Sequence, residues 1–514
     1  MKRREFLQSL AALGTAAALP SPAFALAPDG QAFDAAVAVA PWLKPFKGVN
    51  DATQDLRCDA LAVAGRWPAA LRGRFYRNGP ALFERDGQRY HHWFAGDGMV
   101  QQFSFSGGPA ASVRHIGRLV RTPKLLAEQQ AGRFLVSAYG TRIESNNEAD
   151  TPTGGADSFN VANTNAIEHA GRVLAMWEGG SAFALNPTDL STLGPVTWKK
   201  GLQHLPFSAH PKLDAAGHLW NFGSSGANLV VWHIDPQGKL VKAQFGESPY
   251  PGGMAHDAAI TAQYIVLPLP PIKFHFGNDV TTNNANSARN AFEYQPREPL
   301  RILVMRKDDN SKRRVFELPA QMVFHVGNAH ERRDGSIALT FVGSPDPGFA
   351  THGAAALISG HPAPPGGSST QQAWLDMRTG RATVQAFSDS VEFPRIHPQR
   401  NGLAARYLLT AASWQPDARR AGLFHGLQLR NLETGCVQRH DYGPHTLVEE
   451  HIVVPKPGAT HELDAWLLGT TFDIRRQVTR VNLLEARHLA DGPVALATLP
   501  YLLPYGIHGN FTPT

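Results

Sequence analysis

The chain has 514 residues, 43% hydrophobic and 18% charged, a balance that supports a large buried core and argues against a disordered chain. Its formal charge of +6 is scattered, with no basic stripe interleaved with aromatics, so nucleic acid is not an expected partner. The 48 glycines and 38 prolines point to a fold built on many turns.

Residues 1–27, MKRREFLQSLAALGTAAALPSPAFALA, read as an export leader, with a basic start, a mildly apolar stretch and small-residue sites. Ala23-Phe24-Ala25 and Ala25-Leu26-Ala27 both fit A-x-A cleavage, and Arg3-Arg4-Glu5-Phe6-Leu7-Gln8 resembles the twin-arginine signal. The expectation is a cleaved leader and a mature chain, 28–514, in the periplasm; an ordinary secretory leader or a helical anchor is the plainer alternative. No other run is apolar and long enough to span a bilayer. Cys58 and Cys436 are too few for a cysteine-rich metal site. In an oxidising compartment they could pair; two separate buried thiols is the other reading.

Past the leader, KLLAEQQAGRFL (124–135) is the clearest helical segment. Nearly everything else reads as short strands cut by turns: RVLAMWEGG, GHLWNFGSS, ILVMRKDD, GSIALTFVG, RYLLTAAS, AWLLGTTFD and TRVNLLEA each stop near Gly, Asp, Asn or Pro. VVWHIDPQGKLVKAQF reads as a hairpin. Gly96-Asp97-Gly98 reads as a turn, with Asp97 structural rather than catalytic. The run IVLPLPPIKFHF (265–276) cannot be an interior helix; it is either an apolar lip for peripheral membrane contact or a buried extended connector. FGNDVTTNNANSARNAF (276–292) and SGHPAPPGGSSTQQ (359–372) read as surface loops.

So many strands in one chain exceed a simple sandwich, whereas radial repetition handles them without long open edges. About 487 residues follow the leader, and seven propeller blades would take roughly 70 each. Two β domains in tandem is the alternative. In a propeller the last strand commonly closes the ring, which would pin the C-terminal YGIHGNF and turn His508 inward.

Of 22 histidines, His210 (LPFSAHPKLD), His256 (GGMAHDAAIT), His325 (MVFHVGNAH) and His508 sit among apolar or small neighbours at possible strand ends. Their separations of 46, 69 and 183 residues suit ligands from different blades, not a zinc finger or a helical H-E-x-x-H site. Spacing alone does not select these four.

The ordered blocks FYRNGPALF (75–83), HHWFAGDGMVQQFSF (91–105), NTNAIEHAGRVLAMWEGGSAFALNPTDLSTLG (163–194), FSAHPKLD, AHDAAIT, FHVGNA, VEFPRI and IHGNF together resemble the carotenoid cleavage oxygenase family, from about residue 40 to the end. The resemblance implies an all-β, seven-bladed β-propeller with non-haem Fe(II) (Fe2+) on the axis under a cap of long loops. It implies His210, His256, His325 and His508 as metal ligands. It implies Glu178 (AMWEGG), Glu392 (SVEFP) and Glu450 (VEEHIVVP) as the carboxylates that hold three imidazoles. Glu449 is adjacent; Glu450 is chosen because an apolar strand and Pro-Lys-Pro follow it. A ligating imidazole needs an acceptor on its far N–H, so four histidines and three glutamates form one unit.

The activity implied is oxidative cleavage by O2 of a carotenoid or apocarotenoid C=C bond into two carbonyl products. A rigid apolar polyene needs an apolar tunnel. Phe83, Trp93, Phe94, Tyr139, Trp177, Phe274 and Phe324 lie near the signature blocks as candidate walls, with ordinary core as the alternative for each. Stilbene-cleaving relatives commonly carry a Lys just before the first of these glutamates; here Trp177 stands there, which favours the polyene over a phenolic stilbene. Other classes to be weighed are a propeller binding protein without metal, a Ca2+-dependent propeller hydrolase, and a member that isomerises or has lost activity.

Overall fold

The structure, a computed structural model, describes residues 29–514 except 54, 109–110, 139–140, 142, 144–154, 251–252, 275–291, 364–366 and 415–422. The leader and most of 276–292 therefore lie outside the described residues.

Strands such as Ile337–Ser344, Ala465–Asp473 and Leu300–Arg306 are buried almost along their length, so their sequences are near-continuous apolar runs. Strands such as Ala382–Ala386 and Val437–Asp441 are half exposed. This contrast follows from position: the former lie in the middle of a sheet packed on both faces, and the latter are its outer edge. Among the described residues, seven antiparallel sheets of four or five strands form a seven-bladed propeller. The tandem-domain alternative is thereby replaced.

Blades are numbered from the closing one. Blade I holds, from the axis outward, His508–Pro513, Gly73–Leu82, Asp97–Phe105, Val113–Leu119 and Leu56–Cys58. Blades II to VI begin at the axis with Asn165–His169, Lys212–Leu213, Ala259–Ile260, Met322–Glu331 and Val391–Arg395. Blade VII runs from Thr446–Pro455 through Ala465–Asp473, Val478–Glu485 and Pro493–Thr498 to Ala62–Gly65. The ring is closed twice. The last strand pairs with Gly73–Leu82, and Ala62–Gly65 pairs with Pro493–Thr498. Separate apolar clusters glue neighbouring blades: Phe207 and Trp232 serve II and III, Phe316 and Phe341 serve IV and V, and Trp67 and Trp466 serve VII and I.

Because strands alternate direction within a blade, the long connections 83–96, 120–164, 270–299 and 345–368 all leave at one end, the end where the inner strands begin. Helix Asp29–Val39, the 3-10 turn Pro41–Phe46 and helix Ala354–Ile358 cover that end over a cluster containing Phe33, Trp42, Phe46, Phe83, Trp93 and Tyr505. Phe46 stacks on Tyr505 (centroids 5.0 Å apart), and Tyr505 N donates to Pro45 O at 3.0 Å, so the C-terminal segment is roofed by the N-terminal one.

Several local expectations carry over. Helix Pro123–Ala131 starts on a Thr122 cap and stops at Gly132, whose φ of 67° ends it before Arg133. Asp235–Gly238 turns the predicted hairpin, with Gly238 at φ 80°. Others are corrected. The 265–270 run is a strand, Tyr264–Leu269, in the interior of blade IV, so it offers no exposed lip. Pro268 is tolerated there because the neighbouring strand Ala259–Ile260 reaches only Ile265 and Val266, leaving no ladder for the missing N–H. Residues 369–372 are not loop but the start of strand Ser369–Leu375, with Thr370 fully buried. Cys58 and Cys436 are both free; Cys436 is exposed and Cys58 partly so, which removes both the pairing and the buried-thiol readings.

Candidate metal centre

The inner strands are irregular where they reach the top of the axis. Register slips occur around His325 in Met322–Glu331, between Glu392 and Arg395, and between Val448 and His451. A bulge re-aims side chains that a regular pleat would alternate between faces. Phe393 sits at φ 58°, a left-handed conformation costly for an aromatic residue. These bulges turn His325, Glu392 and Glu450 toward one point.

His210, His256, His325 and His508 converge there, with one nitrogen from each within 4.8 Å of all the others. The His210 and His256 Nε2 atoms are 3.1 Å apart, and those of His256 and His325 are 3.3 Å apart. All four residues are between 3% and 9% exposed. His325 Nδ1 donates to Glu392 Oε2 at 2.5 Å, and His508 Nδ1 to Glu450 Oε1 at 3.0 Å. His256 Nδ1 pairs with Glu178 Oε1. The seven residues come one from each blade: His508, Glu178, His210, His256, His325, Glu392 and Glu450 from I to VII in turn.

Glu449 points elsewhere. It binds Arg77, the Thr470 hydroxyl and Gly506 N, holding the segment that leads to His508. Glu450 is the carboxylate on the His508 ring, and Arg395 grips it through both oxygens, Nε to Oε1 at 2.9 Å and a terminal nitrogen to Oε2 at 2.8 Å. Burial would raise the Glu450 pKa, but Arg395 and His508 hold it well below the usual carboxylate range. Burial, then the three facing imidazoles, drives His210 well below its ordinary value. Burial brings His508 down to about 4, outweighing Glu450. For His256 burial acts downward, but Glu178 outweighs it and the net shift is upward.

The donor set fits a metal. Carboxylates on Nδ1 fix the tautomer that leaves Nε2 as a lone pair facing the centre. Lone pairs that close repel one another unless a cation lies among them. His508 Nε2 is buried without any hydrogen-bond partner. Around the rings, Glu178, Glu392, Glu450 and Asp257 are countered by Arg395 and Lys212, leaving two negative charges for a divalent ion to balance. All-imidazole ligation suits first-row transition metals; Ca2+ would require oxygen donors.

The candidate tunnel residues divide. Phe324 meets the His256 ring edge-on at 5.2 Å and is partly buried, and Trp177 precedes Glu178 and is also partly buried. Phe94 packs on Trp93 and keeps part of its surface open. Phe83 is wholly enclosed in the apolar cluster under the cap, so it is core and lines no open space; Trp93, 3% exposed, belongs to the same cluster. Tyr139 lies outside the described residues. Phe274 ends strand Ile272–Phe274, and its side chain is outside them too. Asp97 is held in a buried ion cluster with Arg85, Lys124 and Glu128, a structural position.

Three residues were not anticipated: Phe393, Arg395 and Asp257. Phe393 stacks on His325 (5.5 Å, 27° between planes) and meets His508 edge-on at 5.5 Å. Arg395 and Asp257 stand in VEFPRI and AHDAAIT, where an isolated charge amid apolar residues signals a buried partner.

Fold and site together define a propeller with a four-histidine group on its axis that could hold a metal ion. The family model described as Retinal pigment epithelial membrane protein matches residues 49–513. The chain belongs to this family, and its relatives include carotenoid cleavage oxygenases. It is 30% identical to the apocarotenoid-15,15'-oxygenase of Synechocystis sp., over 88% of this chain and 92% of that protein. It is 26% identical to carotenoid cleavage oxygenase 1 of Neurospora crassa (92% and 90% covered) and 26% identical to isoeugenol monooxygenase of Pseudomonas nitroreducens (88% and 94%). Cobalt-substituted Synechocystis apocarotenoid oxygenase superposes with a TM-score of 0.81 at 27% identity, covering 92% of this chain and 99% of the other.

Proposed function

We propose that this protein is an Fe(II)-dependent oxygenase that uses O2 to cleave a C=C bond of an apocarotenoid or carotenoid into two carbonyl products. The observation that carries this reading is the convergence of four imidazoles, three of them held at Nδ1 by glutamates. Four neutral ligands without a carboxylate leave coordination positions open. When bound, Fe(II) would supply the electron density and the open positions that dioxygen chemistry at an alkene needs. His210, His256, His325 and His508 would hold it. Glu178, Glu392 and Glu450 keep the Nδ1 protons in place, so each ring presents the same nitrogen inward. Phe393 and Phe324 flank the rings with apolar surface that keeps bulk water from the centre and accepts a flat conjugated chain.

The identity to isoeugenol monooxygenase supports a second reading, a shorter phenylpropene or stilbene substrate. Trp177 argues for the polyene, since an indole offers no cation to a phenolate. Incubating iron-loaded protein in air with a panel of apocarotenals, hydroxystilbenes and isoeugenol, and weighing the aldehydes by mass spectrometry, separates the two. Aldehydes from the apocarotenals alone support the first reading; aldehydes from the phenolic substrates alone replace it with the second. We also propose export through the leader; cell fractionation that finds the protein only in the cytoplasm overturns this.

A further inference from the structure

We propose that Asp257 is a positioning residue of the metal centre, the acid that serves the one imidazole no glutamate reaches, with Lys212 as its lock. This rests on the four-histidine site being a metal site. Glu178, Glu392 and Glu450 each meet a ring, and none meets His210. The nearest acid to His210 Nδ1 is Asp257, whose Oδ1 lies 3.9 Å away, beyond a hydrogen bond. At that distance the carboxylate makes no bond to the ring and acts on it by position, holding the segment that carries His210 through Lys212.

Asp257 is also tied to the other ligand segments. It follows His256 directly. Its Oδ2 accepts from Val326 N at 2.8 Å, the amide next to His325, across 69 residues of chain. Its Oδ1 accepts from Ala258 N at 2.7 Å and pairs with Lys212 Nζ at 2.8 Å, two residues beyond His210. A parallel link joins the same segments: His210 N donates to Ser208 Oγ at 3.2 Å, and Ser208 Oγ donates to His256 O at 3.1 Å. One buried carboxylate thus fixes the spacing of three ligand-bearing segments from blades III, IV and V. The Asp257 side chain is 3% exposed and that of Lys212 20%, so the pair is screened only weakly. Asp257 and Lys212 also belong to the charge set that a divalent ion balances.

The test is metal binding by the full-length protein, with Fe(II) titrated anaerobically and Co(II) followed by its visible absorption. The expected result for Asp257→Asn is a 10- to 100-fold weaker affinity, of the order found when the outer partner of a ligating histidine is removed, with a displaced Co(II) band. Lys212→Met is expected to shift the same band and weaken binding. As control, Asp389→Asn removes an acid whose side chain is equally buried but which binds Thr370, Gln428 and Arg430 and none of the four histidines, and should lower Tm without moving the band. Wild-type affinity and an unmoved band in either Asp257→Asn or Lys212→Met overturn the proposal; if Asp257→Asn does not fold, Lys212→Met alone decides it. Wild-type protein that binds neither ion overturns the metal reading itself, and this proposal with it.

Discussion

At the scale of single residues, the centre illustrates how little a histidine says alone. Four of 22 matter here, and their separations did not select them; ordered blocks of resemblance did. The distinction between Glu449 and Glu450 could be read from the strand that follows, and the geometry places Glu450 on His508. The strain at Phe393 could not be read, because φ at 58° is imposed by the bulge and no residue type announces it. It has a measurable consequence. Phe393→Gly relieves a conformation that costs on the order of 1 kcal/mol or more, whereas Phe393→Ala keeps the strain and loses the ring. Denaturant unfolding should therefore find the glycine variant more stable than the alanine variant, the reverse of the ordinary order in a strand. His508→Ala removes a ligand and should abolish stoichiometric metal, read by elemental analysis of the purified protein.

Two histidines away from the centre bear on acid stability. His115, between the Tyr501 hydroxyl and Gln101 Oε1, is lowered by burial to about 3, and His451 by burial to about 4. Both are protonated more readily in the unfolded chain, near 6.5, so the unfolded state takes up more protons. Their contribution is complete above about pH 6.5 and is lost as pH falls toward 3–4, at about 1.4 kcal/mol per pH unit per histidine. Tm measured from pH 7 to 4 should fall, and His115→Gln should flatten part of that slope.

At the scale of elements, the legible features were those with local causes. The Thr122 cap and Gly132 stop define the helix, and Asp235 to Gly238 defines the hairpin. The bulges on the inner strands were not legible, since a bulge is a relation to a partner strand, not a property of the strand's own residues. The Leu-Pro-Leu-Pro-Pro run left an exposed lip and a buried extended segment both open for the same reason, and the structure has it buried and extended: whether a proline breaks a ladder depends on whether a neighbour is present to pair with it. The C-terminal strand gives a test at this scale. A Cβ at Gly79 would stand 2.7 Å from Gly506 Cα, backbone against backbone, with nothing flexible to yield. Gly79→Ala should push the tail outward and cost both Tm and bound metal, although it alters no ligand.

At the scale of the molecule, length and strand density were consistent with seven blades and the family resemblance implied that number, while the absence of a clean repeat motif left the tandem arrangement open. Ring closure resolves it, because strands from opposite chain ends share blades I and VII. Each blade contributes one residue to the centre, so an ion held there joins four blades directly and three through carboxylates. An ion that binds only the folded ring stabilises it by about 4 kcal/mol at a thousand times its Kd. Calorimetry of metal-free and reloaded protein should show Tm rising with metal concentration, and a Tm indifferent to metal would contradict the linkage.

The strand that completes blade I, His508–Pro513, is synthesised after all the other blade strands. Until those residues emerge, the growing polypeptide can pair Ala62–Gly65 with Pro493–Thr498 but cannot complete blade I, and it owns at most three of its four imidazoles. An ion that needs all four imidazoles would therefore be captured only after that strand is made, so a loaded centre would report that blade I is complete.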